Sequence, residues 1–177
     1  MPSGHLPPGV APWDQFLPTR WELIASVLTM KAKYALRAMS ELARAGDVRL
    51  QAHEIAQRSR VPVKFLETIL VELRAAGLIE SRRGQRGGHA LARTSEEIMV
   101  GDILRTIDGP LAPVRCASVT AYEPCRDCAD PDGCALRALM RESRDAMSQV
   151  LDRHSLRSFA WTDAASLPPL PDPRPVP

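Results

Sequence analysis

A mainly α-helical fold is what three features of this 177-residue sequence predict. Aromatic residues make up only 5% of the chain against 45% apolar residues, so the core must rest on Leu, Ala, Ile and Val, which suit helix packing. Apolar residues recur at helical spacing in successive windows between Leu28 and Leu73. That period breaks only once, in a short β-branched, glycine-rich stretch after Gly77, which reads as a small hairpin.

The elements follow in order. Residues 1–29 carry five prolines and two glycines in their first twenty positions and read as a disordered extension reaching to the start of the first helix. Met30 reads as an alternative start, because the patterned sequence begins there. Leu28, Tyr34, Ala35, Ala38, Met39 and Leu42 mark the first helix, which Gly46 stops. "AHEIAQRS" is a short second helix with Ile55 and Ala56 inward. Pro62 suits the first turn of a third helix. Phe65, Leu66, Ile69, Leu70 and Leu73 make its apolar face, and Gly77 ends it. "LIESRR", "GQRGGH" and "ALAR" then read as strand, turn and return strand. A fourth helix runs from about Val100 to Gly109. Residues 110–134 form a polar loop that holds all four cysteines.

From Ala135 a last long helix runs to about His154, within a segment 135–160. Leu136, Met140, Ser143, Met147 and Val150 alternate by four and three along it, a heptad-like stripe suited to a second copy of the chain. Residues 161–177, ending in "PPLPDPRPVP", read as a disordered tail. Helix, short helix, tight turn, longer helix and glycine-rich hairpin is the order of a winged helix-turn-helix. The expected architecture is therefore a winged domain over 30–109, a cysteine loop over 110–134 and a dimerisation helix over 135–160.

Charge points to the partner of the winged domain. Net charge is only +2, yet residues 31–95 hold 13 Lys/Arg against 6 Asp/Glu and the remainder 10 against 15. A basic half on a near-neutral chain fits a polyanion. No stretch reaches the length of a membrane span, and the N-terminus does not read as a secretory signal. The expectation is a cytoplasmic protein, where disulfides are uncommon. A helix fits the major groove, where side chains reach base edges. The helix at Pro62 presents Lys64, Glu67 and Thr68 off its apolar face. The hairpin carries Arg82, Arg83 and Arg86 around Gly87 and Gly88, which let backbone approach phosphate closely. The bland alternative is a solvated arginine-rich surface. Three arginines in one glycine hairpin beside a candidate recognition helix favour double-stranded DNA.

The cysteines are spaced C-x8-C-x2-C-x5-C, at Cys116, Cys125, Cys128 and Cys134. Four thiolates in one loop suit a soft metal, either tetrahedral zinc or the iron of a cluster. The spacing lacks the two separated close pairs of a zinc ribbon. Cys125 and Cys128 alone form a C-x-x-C pair that could cycle as a dithiol, but without the flanking βαβ pattern of a thioredoxin-like site. Asp130, Pro131, Asp132 and Gly133 favour a turn that brings Cys134 back toward the others.

"KYALRAMSELA", "EIAQRSRVPVKFLETILVELRAAGLIESRRGQRGGHALAR", "EEIMVGDILRTIDGPLAPVRC" and "CALRALMRESRDAMSQVLD" resemble the Rrf2 family of bacterial transcription regulators, over about Met30 to Phe159. The resemblance implies a homodimeric winged-helix regulator, usually a repressor, and in many members an iron–sulfur cluster in the loop before the dimerisation helix. It implies Cys116 and Cys134 as first and last ligands, with Cys125 or Cys128 between. In one branch a His three residues after the last Cys is the fourth ligand; here Arg137 stands there and cannot coordinate. A spare cysteine favours 4Fe–4S over 2Fe–2S, with zinc as the alternative. His89 departs from the usual wing Tyr and Arg60 from the frequent turn Gly. The expected function is DNA binding at a near-palindromic operator, with affinity set by a cluster that senses iron, redox or nitric oxide status, and no enzymatic site. The alternatives are a metal-free dithiol regulator on the same fold and a C-x-x-C thiol oxidoreductase.

Overall fold

The computed structural model describes residues 28–84, 87–126, 128 and 130–162. The expected disorder of the N-terminal extension and of the tail falls almost wholly outside these residues.

Six helices and a two-stranded hairpin follow in chain order: α1 (Met30–Ala45), α2 (Ala52–Ser59), α3 (Val63–Ala75), β1 (Ile79–Arg82), β2 (Gly88–Leu91), α4 (Val100–Asp108), α5 (Ala135–Leu151) and α6 (Leu156–Trp161). Local chemistry sets the ends. The Thr29 hydroxyl accepts from the Ala32 N–H (3.1 Å) and so caps α1. The same residue's N–H donates to Asp108, joining the start of α1 to the end of α4. Helix α3 ends in a Schellman turn, in which Gly77 donates to Arg74 and Leu78 to Leu73, both at 3.0 Å, with Gly77 at φ +71. Helix α2 ends the same way, with Arg60 donating to Gln57 and Val61 to Ala56. The left-handed position there is Arg60 (φ +53), the only non-glycine with positive φ among the described residues.

One core holds the helices together. Ala35, Met39 and Leu42 of α1 meet Ile55 of α2, Leu66, Ile69 and Leu73 of α3, Ile103 and Leu104 of α4, and Leu156 of α6. Each of these side chains is sealed from solvent. Leu-to-Ala truncation at such sites costs about 2–5 kcal/mol. The hairpin pairs Ile79 with Leu91 and Arg82 with Gly88. Leu50 bridges to His89 through two backbone hydrogen bonds of 2.8 and 3.0 Å, which roots the wing in the core.

Three expectations need correction. Phe65 is not part of the core face but 58% exposed, because it lies at the edge of the α3 stripe; its ring lies 6.2 Å from that of Tyr34 between centroids. The return strand begins at Gly88, inside the stretch read as a turn, because Gly88 and His89 already pair with Arg82 and Ser81. The last helix does not run on to 154 or 160. It ends at Leu151, and the chain turns so that Val100 donates to His154 and Leu156 to Ile98. Ser155 then caps α6, which buries Leu156 and Ala160 against α1.

The Arg105 guanidinium grips both oxygens of Asp152 at 2.7 Å across the α4–α5 junction. Gly101 makes room for this pair, since a Cβ there would collide with the Asp152 carboxylate. The hydrogen bonds from Arg105 hold the Asp152 carboxyl below its usual range. A depressed carboxylate contributes stability above its unfolded pKa, about 4, and loses it as pH falls through the lower folded value. Asp152→Asn is expected to cost about 0.5–1 kcal/mol at neutral pH, since the pair is solvent-accessible. That difference should narrow as pH falls below the ordinary carboxylate range and close once the lowered folded pKa is passed, in parallel urea titrations.

Candidate nucleic-acid interface and cysteine loop

Helix α3 offers one side to the core and the other to solvent. Lys64, Glu67 and Thr68 all lie exposed on its first two turns. Arg82 and Arg83 are exposed at the end of β1, on the same winged unit. Arg86 lies outside the described residues.

Gly87 and Gly88 are buried. A Cβ on Gly87 would run into the Arg82 carbonyl, and one on Gly88 would come within 2.7 Å of the Leu50 carbonyl, at φ +126. Both glycines are thus required by close backbone packing that shapes the wing. Their neighbours reinforce it: Gly87 donates to Gly84 (2.9 Å) and accepts from the Gln51 side chain (3.1 Å).

His89 sits where the wing meets α3. Its Nδ1 is 2.8 Å from the Ser81 hydroxyl. Burial, then the charges of Arg74 and Arg49, lower its pKa below the usual imidazole value, so the ring is neutral at pH 7. Ser81, His89, Glu67 and Arg74 border one cleft between recognition helix and wing. His89 therefore lies at the junction of wing and helix, a position that sequence reading did not assign to it.

The cysteine loop starts at a 3-10 turn, Arg115–Ala117, that packs on α5. Cys116 on this turn is buried, Cys125 is exposed, and Cys128 and Cys134 are half-buried. Cys134 stands at the N-cap of α5. Without closing a standard capping bond, its thiol is held below the usual range first by the Arg137 N–H, then by the Cys128 thiol. Among the described residues no three His, Cys, Asp or Glu side chains converge tightly enough to hold a metal ion. By donor chemistry the four soft thiols are of the kind that ligates iron or zinc.

Two arginines missed by sequence reading bind this loop to α5. Arg137 donates to the Cys116 carbonyl (3.1 Å), the Pro131 carbonyl (2.9 Å) and the Asp132 carboxylate (2.8 Å), and its guanidinium lies 5.4 Å from the Tyr122 ring centre. Arg144, two turns on, donates to the Ala117 carbonyl. Their spacing of seven along one helix face was the available signal. Helix α5 itself has no buried residue; Leu136, Leu139 and Val150 are all more than half exposed.

An exposed recognition helix, a glycine-built wing and a basic surface define a winged-helix DNA-binding regulator of transcription. The chain belongs to the Rrf2 family: the family model, described as "Iron-dependent Transcriptional regulator", matches residues 28–161. It is similar to an rrf2-like helix-turn-helix regulator of Rhodobacter capsulatus, 43% identical over 66% of this chain and 80% of that protein. It is also similar to the solved structure of CymR, the global cysteine regulator of B. subtilis, at TM-score 0.62 and 35% identity, over 77% of this chain and 98% of that one. IscR of T. potens matches at TM-score 0.62 and 25% identity, over 82% of this chain and 95% of that one. These relatives are regulators, which implies a non-enzymatic protein, and no described helix is long and apolar enough to cross a membrane.

Proposed function

We propose that the protein is a homodimeric repressor whose affinity for a near-palindromic operator is set by an iron–sulfur cluster in the 110–134 loop. The observation that carries this is the attachment of the thiol-bearing loop to α5. Arg137 binds backbone on both sides of the loop, and Cys134 opens the helix. Cys116, Cys128 and Cys134 would hold the cluster, with Cys125 as the fourth thiol. When bound, the cluster supplies a one-electron, oxidant-sensitive centre. The chain's own residues do the rest. Arg137 and Arg144 fix the loop to one face of α5. Arg105 and Asp152 fix the far end of α5 to α4 of the winged domain. A change in loop shape is thereby passed to the spacing of two winged domains across a dimer, and linkage makes DNA binding act back on the loop.

In each winged domain Lys64, Glu67 and Thr68 would face base edges, and Arg82, Arg83 and Arg86 would approach phosphate or the minor groove beside the wing. The family's description as iron-dependent supports the cluster, while the likeness to a global cysteine regulator keeps a metal-free thiol switch as the second reading.

Anaerobic purification with iron, zinc and acid-labile sulfide quantification separates the two. The expected result is stoichiometric iron and sulfide, lost in Cys116→Ala, Cys128→Ala and Cys134→Ala. Operator affinity in those variants is expected to differ from that of the loaded protein by at least about tenfold, a coupling of roughly 1.4 kcal/mol. Colourless, sulfide-free protein with unchanged affinity in all three variants would sink the cluster reading.

A further inference from the structure

A second basic site lies outside the recognition helix and the wing. Arg37 and Arg44 of α1, Arg58 and Arg60 at the end of α2, and Phe159 of α6 surround a cleft of about 460 Å³, with Glu41 as its one carboxylate. Glu41 is committed to Arg44 (2.6 Å), and Arg44 also donates to the Ala160 carbonyl (2.6 Å). The side chains of Arg37, Arg58 and Arg60 make no hydrogen bond or ion pair among the described residues. Three guanidinium groups therefore converge on one cleft with their charge unanswered. The Phe159 ring forms an apolar wall, against which charge is less screened than in open water.

Arg60 makes the arrangement harder to dismiss as ordinary surface charge. It holds the left-handed conformation that closes the α2 turn, a position where glycine avoids the steric penalty. A strained non-glycine residue that also adds charge to a cleft is an outlier from which function can be inferred. The position is informative too. Arg60 stands two residues before the N-cap of α3, and Tyr34, one turn before Arg37, touches Phe65 in the first turn of α3. The cleft thus lies close to the N-terminal end of α3.

We propose that this cleft binds a phosphate group through Arg37, Arg58 and Arg60, with the DNA backbone flanking the groove read by α3 as its source. The proposal builds on the DNA-binding reading, and a free phosphate is the other source of the same chemistry. Arginine forks match phosphate oxygens in bidentate geometry, so the site is a contact of fixed orientation rather than a diffuse charge. It carries no base information and sets register and affinity.

The test measures duplex affinity against salt for the full chain, with Arg37→Ala/Arg58→Ala and, separately, Arg60→Gly. The double variant is expected to bind operator and scrambled duplex about tenfold more weakly, with the log-affinity against log-salt slope reduced by about 1–2 and the preference for operator unchanged. Arg60→Gly is expected to raise the melting temperature by about 2 °C while still weakening duplex binding, a pairing of effects that a merely structural position would not show. A parallel arm adds about 10 mM inorganic phosphate, against chloride at matched ionic strength, and follows melting temperature by linkage. A phosphate-dependent rise that is lost in the double variant, with the salt slope unchanged, keeps the site and assigns it to free phosphate. Unchanged slopes together with no phosphate effect overturn the proposal. If wild-type protein binds no duplex at all, the DNA-binding reading fails, and the phosphate arm still judges the cleft.

Discussion

Glutamate in place of both Leu136 and Val150 on α5 is expected to make the protein monomeric and to lower operator affinity by about 10²–10⁴-fold. Helix α5 is 17 residues long and buries none of them within the chain. Leu136 and Val150 are 60% and 56% exposed, while Met140 and Met147 on the same stripe are half-buried. On the proposed dimer the apolar stripe of α5 would be covered by a second copy of itself, which its four-three spacing suits. Joining two winged domains makes the second half-site contact intramolecular, at an effective concentration near millimolar, which is where the affinity loss comes from. Analytical ultracentrifugation and operator titration of the same preparation check the result. Because neither side chain contributes to the monomer core, melting of a single winged domain should stay cooperative. A double variant that remained dimeric and bound with wild-type affinity would remove the dimerisation reading of α5.

Gly88→Val is the second large effect. The new Cβ would stand 2.7 Å from the Leu50 carbonyl oxygen and 2.9 Å from its carbon, both backbone atoms that cannot swing aside, and φ +126 is closed to a β-branched residue. Since Leu50 and His89 exchange two backbone hydrogen bonds, relief would have to break the bridge that roots the wing. A cost of about 2–4 kcal/mol follows. For a chain of this size that is a fall of roughly 5–15 °C in melting temperature. Duplex binding should weaken as well, because Arg82 and Arg83 are presented by the displaced hairpin. Gly84→Ala is the control: it shares a positive φ (+103) but has open space around it, so its cost should stay near 1 kcal/mol. Equal melting temperatures for Gly88→Val and Gly84→Ala would contradict the packing argument.

Much of the winged domain is legible in the chain because its signals are local. Gly46, Gly77 and Gly109 stop helices where a left-handed residue is needed, and the apolar period places Ile55, Leu66, Ile69 and Leu73 inward without knowledge of their partners. Phe65 defeats that logic because periodicity states which face a residue is on, not how far a neighbouring helix covers it. The end of α5 was misjudged for a related reason. Leu156 and Ala160 continue a helical pattern, yet backbone bonds to Ile98 and Val100 turn the chain between them and α5. The Ser155 cap was a visible signal for that break.

The cysteine spacing and the two exposed reading elements could be found from sequence, since residue type alone brings soft thiolates or guanidinium groups into one loop. What joins them could not. Arg137 and Arg144 reach back across 21 and 27 residues to the loop, Arg105 reaches 47 residues to Asp152, and Arg37 meets Arg58 and Arg60 only after α1 packs beside α2. The class of fold, the basic half, the four-thiol loop and the apolar stripe of α5 are all legible in residue order, because each depends on the order of side chains along one element. Only the folded chain shows that Gly87 and Gly88 are packing glycines, that Arg137 ties both sides of the cysteine loop to α5, and that unpaired arginine side chains from two helices share one cleft. Those are distances between elements, and they are set by which faces the buried core leaves outside.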